Sequence, residues 1–158
     1  MDAMPLDFHQ EISAWTSQLK NSKKTFLFLE KRMLEMPLGG TAVGTGINAH
    51  PRFPKLFAKE LNKLSGGRWK NVPSENFFHE LSAQDTAVQV SGELKNLAII
   101  LLKISNDLRW MNSGPLAGLS EIELQALQPG SSIMPGKVNP VIPELSLIHI
   151  SEPTRRTP

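Results

Sequence analysis

The chain has 158 residues, with 17 Lys+Arg against 15 Asp+Glu, 40% hydrophobic and 20% charged residues, about the length of one domain and unlike a disordered tail. Its net charge of +2 gives no footprint for nucleic acid or a membrane surface, so neither is expected as a partner. The absence of Cys excludes a disulfide scaffold, a thiolate zinc site and a cysteine nucleophile. The longest strongly apolar run, Leu97 to Leu102, is far short of the roughly 20 residues that span a bilayer. The first residues also lack a basic-then-apolar signal pattern, so the expected location is the cytoplasm.

Pro5 suits the first turn of a helix, and Ile12, Trp15, Leu19, Phe26, Leu29 and Met33 recur mostly at intervals of three and four. Residues 5 to 36 are therefore predicted as one long helix or two in line. Pro37 and Gly39-Gly40 end it, and the stretch from Gly39 to Gly46 is too rich in glycine for a helix interior. No strand precedes those glycines, so neither a dinucleotide-binding turn nor a P-loop has its required context, and no cofactor is expected. Pro51 opens a shorter helix with Phe53, Phe57, Leu61 and Leu64 on one face, closed by Gly66-Gly67.

Ser74 to Asn76 supply a cap for a third helix. From Phe77 to about Asn112 the chain has no Pro and only Gly92, which predicts a single helix of about 36 residues and about 54 Å. Within it Leu97-Ala98-Ile99-Ile100-Leu101-Leu102 is apolar around its whole circumference. Such a helix needs neighbours on every side, as in a helical bundle shared between subunits. Asp107, Arg109 and Asn112 at its end read as an ion pair and a helix terminus. Beyond Gly114-Pro115 the chain turns irregular, and no internal repeat is found.

The chemistry concentrates in Gly130-Ser131-Ser132-Ile133-Met134-Pro135-Gly136-Lys137-Val138-Asn139-Pro140. Its glycines allow main-chain N–H groups to be turned toward an anion, Lys137 adds charge and Asn139 adds amide donors. A carboxylate or phosphate fits such a loop. The same composition also describes an ordinary flexible surface loop, and the residues alone leave both readings open.

This undecapeptide closely resembles the signature of the fumarase/aspartase superfamily. The stretches Gly39-Gly40-Thr41-Ala42-Val43-Gly44-Thr45-Gly46-Ile47-Asn48 and Asn106-Asp107-Leu108-Arg109-Trp110-Met111-Asn112-Ser113-Gly114-Pro115 likewise resemble class II fumarate hydratases. The resemblance implies an all-α fold, a long-helix bundle fragment of that superfamily's central domain carrying a glycine-rich catalytic loop. It implies a lyase that reversibly hydrates fumarate to malate without a metal or other cofactor, within a homotetramer.

Carried over by position, Ser131 is the catalytic base that removes a proton next to a substrate carboxylate. A free serine hydroxyl is far too weak an acid for this, so the loop must stabilise its alkoxide. The resulting carbanion spreads its charge onto the carboxylate as an aci-acid. Lys137 and Asn139 match the carboxylate-binding residues, and Ser132 and Val138 match flanking substrate contacts. Glu144 matches the acid that holds a water-activating histidine. That histidine belongs to a Gly-Arg-Thr-His motif which, by the resemblance, stands just before Met1, and His9, His50 and His79 read instead as solvated or capping residues.

The resemblance makes residues 1–144 part of a central helical domain, with the N-terminal domain and the C-terminal part lying outside it. Residues 145–158 have another character. Leu145 through Arg155 resemble one reading frame of a transposon-kit sequencing adapter, so this tail is expected to be read-through and not native sequence. The chain by itself is expected to be inactive. Aspartate ammonia-lyases share the loop and the Val141-Ile142-Pro143-Glu144 continuation, while Trp110-Met111-Asn112 and Gln84-Asp85-Thr86 look more like bacterial fumarases. A helical interaction module without catalysis is the non-enzymatic alternative.

Overall fold

A computed structural model describes residues 3–134 and 136–151. The expectations for Met1, Asp2, Pro135 and the last part of the adapter-like tail, residues 152–158, lie outside the described residues. The chain divides into two compact units, one of residues 21–93 and one formed by the described residues before and after them. Helices carry the architecture of both.

In the unit of residues 21–93, the second half of α1 (Phe8–Met33) meets the first part of α4 (Asp85–Met111). Arg32 donates to Asp85 at 2.8 Å and to Gln89 at 2.6 Å, and Ser22 Oγ donates to Glu93 at 2.6 Å. Within this unit the two helices thus run antiparallel. Leu29 of α1 is buried. Past α1, β1 (Glu35–Met36) pairs in parallel with β2 (Val72–Pro73), Glu35 opposite Val72 and Met36 opposite Pro73. This ladder is too short for a sequence pattern to announce it.

The predicted second helix is α2, Phe53–Leu64, with Pro54 in its first turn where a missing N–H costs nothing. It ends as expected: Gly66 and Gly67 take φ of +65° and +74°, which lets the Gly67 N–H reach Asn62 O at 2.9 Å and satisfy a terminal carbonyl. Ala58 buries the inner face, while Asn62 and Asn71 clasp each other through three hydrogen bonds. In the glycine-rich loop the glycines serve packing. A Cβ on Gly40 would stand 2.8 Å from Phe77 Cβ, and one on Gly44, at φ +109°, would stand 2.9 Å from the Phe78 backbone N.

The single helix predicted from Phe77 to about Asn112 is two helices. Asn76 caps α3 (Phe77–Ser82), accepting from the His79 N–H at 3.2 Å, and Ala83 is extended at φ −102°, ψ 155°. The break has local causes. Ser82 Oγ donates back to Phe78 O at 2.7 Å, a bond that competes with helix propagation. Asp85 sits in the first turn of α4, where the helix dipole favours an anion, and its carboxylate faces His79 Nε2 at 3.0 Å.

In the other unit, Trp15 Nε1 of α1 donates to Asp107 of α4 at 3.1 Å. Lys103 pairs with the same carboxylate and stands 5.7 Å from the Trp15 ring centroid. The last turn of α4 is covered by the irregular chain that follows: Met111 O accepts from the N–H groups of Glu121 (2.8 Å) and Ile122 (3.2 Å), and Asn112 Oδ1 accepts from Leu124 at 2.8 Å. A short α5 (Val141–Leu145) leads into a π-helical segment, Ser146–Ser151. Of the apolar run on α4, Ile100 is buried while Ile99 is 55% exposed. Neighbours on every side, which the run requires, are not all supplied by the described residues.

Candidate active site

The loop predicted to carry the chemistry is closed at its base. Pro129 and Val138 form an antiparallel bridge, and the Gly130 N–H donates to Lys137 O at 2.7 Å. The approach is so close that a Cβ at Gly130 would stand 2.8 Å from Lys137 O and 3.0 Å from Asn139 Oδ1. Glycine at 130 is therefore what lets Lys137 O and Asn139 Oδ1 approach the chain at that position so closely. At the tip the Lys137 N–H donates to Met134 O at 3.2 Å, and Gly136 adopts φ +79°, a region open to glycine at little cost.

Ser131 is half-buried, and its Oγ accepts from the Ile133 N–H at 3.1 Å. A main-chain N–H is thereby aimed at the oxygen for which the sequence resemblance predicts an alkoxide. Ser132, Lys137 and Val138 are exposed, and Asn139 is half-buried. Lys137 has no carboxylate partner among the described residues, so its charge is free to meet an anion.

Glu144 is half-buried in the first turn of α5, its N–H donating to Pro140 O at 3.1 Å. Together with Val138 it lines a cavity of about 400 Å³ against Asn106, Arg109, Asn112 and Ser113. Of the predicted residues, the fold thus brings Lys137 and Asn139 against Gly130 at the loop base, and Val138 and Glu144 to the cavity. Ser131, Ser132 and Lys137 do not line that cavity.

At the end of α4, Asp107 pairs with Lys103, whereas Arg109 faces Asn106, Nη1 to Oδ1 at 3.4 Å, and lines the cavity. Asn106, Trp110 and Ser113 were not singled out as site residues from sequence, yet all three line this wall. The spacing 106, 109, 110 is the signal that could have found Asn106 and Trp110, because it marks one face of α4, whereas Ser113 lies just past the helix end. Among the described residues no group of three His, Cys, Asp or Glu could hold a metal, and no helix is long and apolar enough to cross a membrane.

A family model described as lyase matches residues 1–152. The chain belongs to this lyase family. It is 57% identical over 144 residues to "Fumarate hydratase class II 2" of Pseudomonas aeruginosa, covering 91% of this chain and 31% of that protein. With the class II fumarate hydratase of Xylella fastidiosa it shares 54% identity over 152 residues, 96% of this chain and 32% of the relative. The chain thus spans about a third of the length of these relatives. Among solved structures, the class II fumarase of Schistosoma mansoni superposes with a TM-score of 0.85 at 35% identity, over 92% of this chain and 33% of that one. The all-α bundle expected from the sequence is the fold of these lyases.

Proposed function

We propose that this chain is the central part of a class II fumarate hydratase, and that the longer protein reversibly hydrates fumarate to malate. The observation that carries this is the 57% identity to a protein of that name. The loop chemistry agrees with it. In the dehydration direction Ser131, as alkoxide, takes a proton from the carbon beside a carboxylate. The charge left behind passes onto that carboxylate, where the Lys137 ammonium and the Asn139 amide stabilise it. The Ile133 N–H, 3.1 Å from Ser131 Oγ, is one donor of the kind the alkoxide needs. Ser132 and Val138 flank the substrate. Glu144 orients a histidine contributed from outside this chain, which protonates the departing hydroxyl and, in reverse, activates water.

A homotetramer with shared sites fits the exposed apolar side chains along α4, such as Leu94 (55%) and Ile99 (55%), which water disfavours and a bundle partner would cover. The substrate is a small dicarboxylate, and the cytoplasm is the location. The test is fumarate consumption by the longer protein carrying this segment. Ser131→Ala is expected to lower kcat by about 10²–10⁴-fold, the usual worth of a positioned base, with a smaller change in KM. Undiminished turnover by that variant, or turnover of aspartate instead of fumarate, would refute the reading. The 158-residue chain alone is expected to show no hydration.

A further inference from the structure

The net charge conceals an uneven distribution. Of the 17 Lys+Arg, six (Arg52, Lys55, Lys59, Lys63, Arg68 and Lys70) fall within residues 52–70, where Glu60 is the one acid. Six cations against one carboxylate give +5 there and, with the whole chain at +2, −3 elsewhere. Such concentration on one segment is an electrostatic footprint that whole-chain arithmetic misses.

The fold gives these cations a shape. Lys55, Lys59 and Lys63 recur every fourth residue of α2, about 6 Å of rise apart. They line one wall of a shallow groove of about 690 Å³, with Gly66 and Gly67 at its end and Asn71 on the facing wall. No atom stands within 4 Å of where a Cβ on either glycine would lie, so a ligand can approach the main chain there. The Asn62–Asn71 clasp holds the two walls together. Lys63 pairs with Glu60 at 2.6 Å, whereas Lys55, Lys59, Arg68 and Lys70 have no carboxylate partner among the described residues. Trp69, two residues before Asn71 and between Arg68 and Lys70, is 52% exposed.

A line of cations along a concave wall, two of the three without a carboxylate partner, suits a flexible polyanion that tracks it, and an exposed indole in the same segment, between the groove-lining Gly67 and Asn71, offers a stacking platform for a base. A planar bilayer does not follow a groove, and an acidic peptide has no use for the indole. We propose that this groove binds single-stranded nucleic acid, with Lys55, Lys59 and Lys63 following the phosphates and Trp69 stacking on a base.

The probe is a fluorescein-labelled oligothymidylate, its anisotropy followed with the 158-residue chain as salt is raised from about 50 to 200 mM. Three neutralised phosphates predict a slope of log K against log salt of about −2, and the double variant Lys55→Gln, Lys59→Gln should flatten it by about 1.4. Trp69→Ala should weaken binding at least about fivefold and Trp69→Phe should restore most of it. Lys23→Gln with Lys24→Gln, exposed on α1, should change nothing, and circular dichroism checks that every variant keeps its helices. Three results would overturn the proposal: no binding at low salt, equal effects of the two lysine pairs, or binding of phosphatidylserine vesicles or polyglutamate as tight as that of the oligonucleotide.

Discussion

Replacing Asn62 by Ala tests the clasp that ties α2 to the segment leading into β2. The Asn62 side chain accepts from the Asn71 N–H at 2.8 Å and from Asn71 Nδ2 at 2.9 Å, and donates to Asn71 O at 2.9 Å. Asn71 is only 9% exposed, so water does not freely replace what is removed. At about 1 kcal/mol for each bond, deletion costs about 3 kcal/mol. Alanine returns about 0.5 kcal/mol through its higher helix propensity, leaving a net loss of about 2.5 kcal/mol. Asn62→Asp keeps the acceptor and loses only the donation to Asn71 O, about 1 kcal/mol.

Urea unfolding followed by circular dichroism reads both variants. With a denaturant slope of about 1.5–2 kcal/mol/M, the midpoint should fall by about 1.2–1.7 M for Asn62→Ala and about 0.5 M for Asn62→Asp. Amide exchange at Asn71 should accelerate with the first variant well beyond the second. An Asn62→Ala midpoint within about 0.3 M of the parent would show that the clasp carries no stability and that the reasoning is wrong.

Acid should weaken the unit of residues 21–93 through Asp85. The Arg32 guanidinium beside it holds its carboxyl below the usual range, with the backbone and His79 acting in the same direction. A depressed carboxylate contributes stability above its unfolded pKa, and that contribution is lost as pH falls through the folded value, here below about pH 4. Asp85→Asn should therefore flatten the pH dependence of the urea midpoint in that range, and an unchanged profile would exclude the Arg32 contact as its cause. Gly130→Ala should push Lys137 O and Asn139 apart, breaking the 2.7 Å bond at the loop base. The cost is about 1–3 kcal/mol, and in the longer protein KM for fumarate should rise; an unchanged KM would refute the close-approach argument. Asn112→Ala leaves the Leu124 N–H without its acceptor, which should cost about 1–3 kcal/mol and speed Leu124 amide exchange, with Asn112→Asp restoring protection.

What the sequence determined by itself lies within the reach of a few residues. The period of Ile12, Trp15, Leu29 and Met33 announces α1, Asn76 announces the start of α3, and Gly66-Gly67 announces the end of α2, because periodicity and capping act over one or two turns. The loop from Gly130 to Pro140 was legible for a different reason: its composition left two readings open, and its resemblance to a known signature supplied the roles proposed for it. The break at Ala83 was missed although Ser82 and Asp85 marked it, since the absence of Pro and near-absence of Gly from Phe77 to Asn112 outweighed two polar residues.

Only tertiary structure decided the rest. Glu35 pairs with Val72, Met111 O receives the Glu121 N–H, and Glu144 shares a cavity with Asn106 and Arg109, all between segments distant in sequence. Such partnerships depend on which unsatisfied backbone group or open face meets which other once helices pack, and no local propensity encodes that meeting. The concentration of lysines on α2 could be counted from sequence, but the groove that makes it a surface required Asn71 to be brought against Asn62.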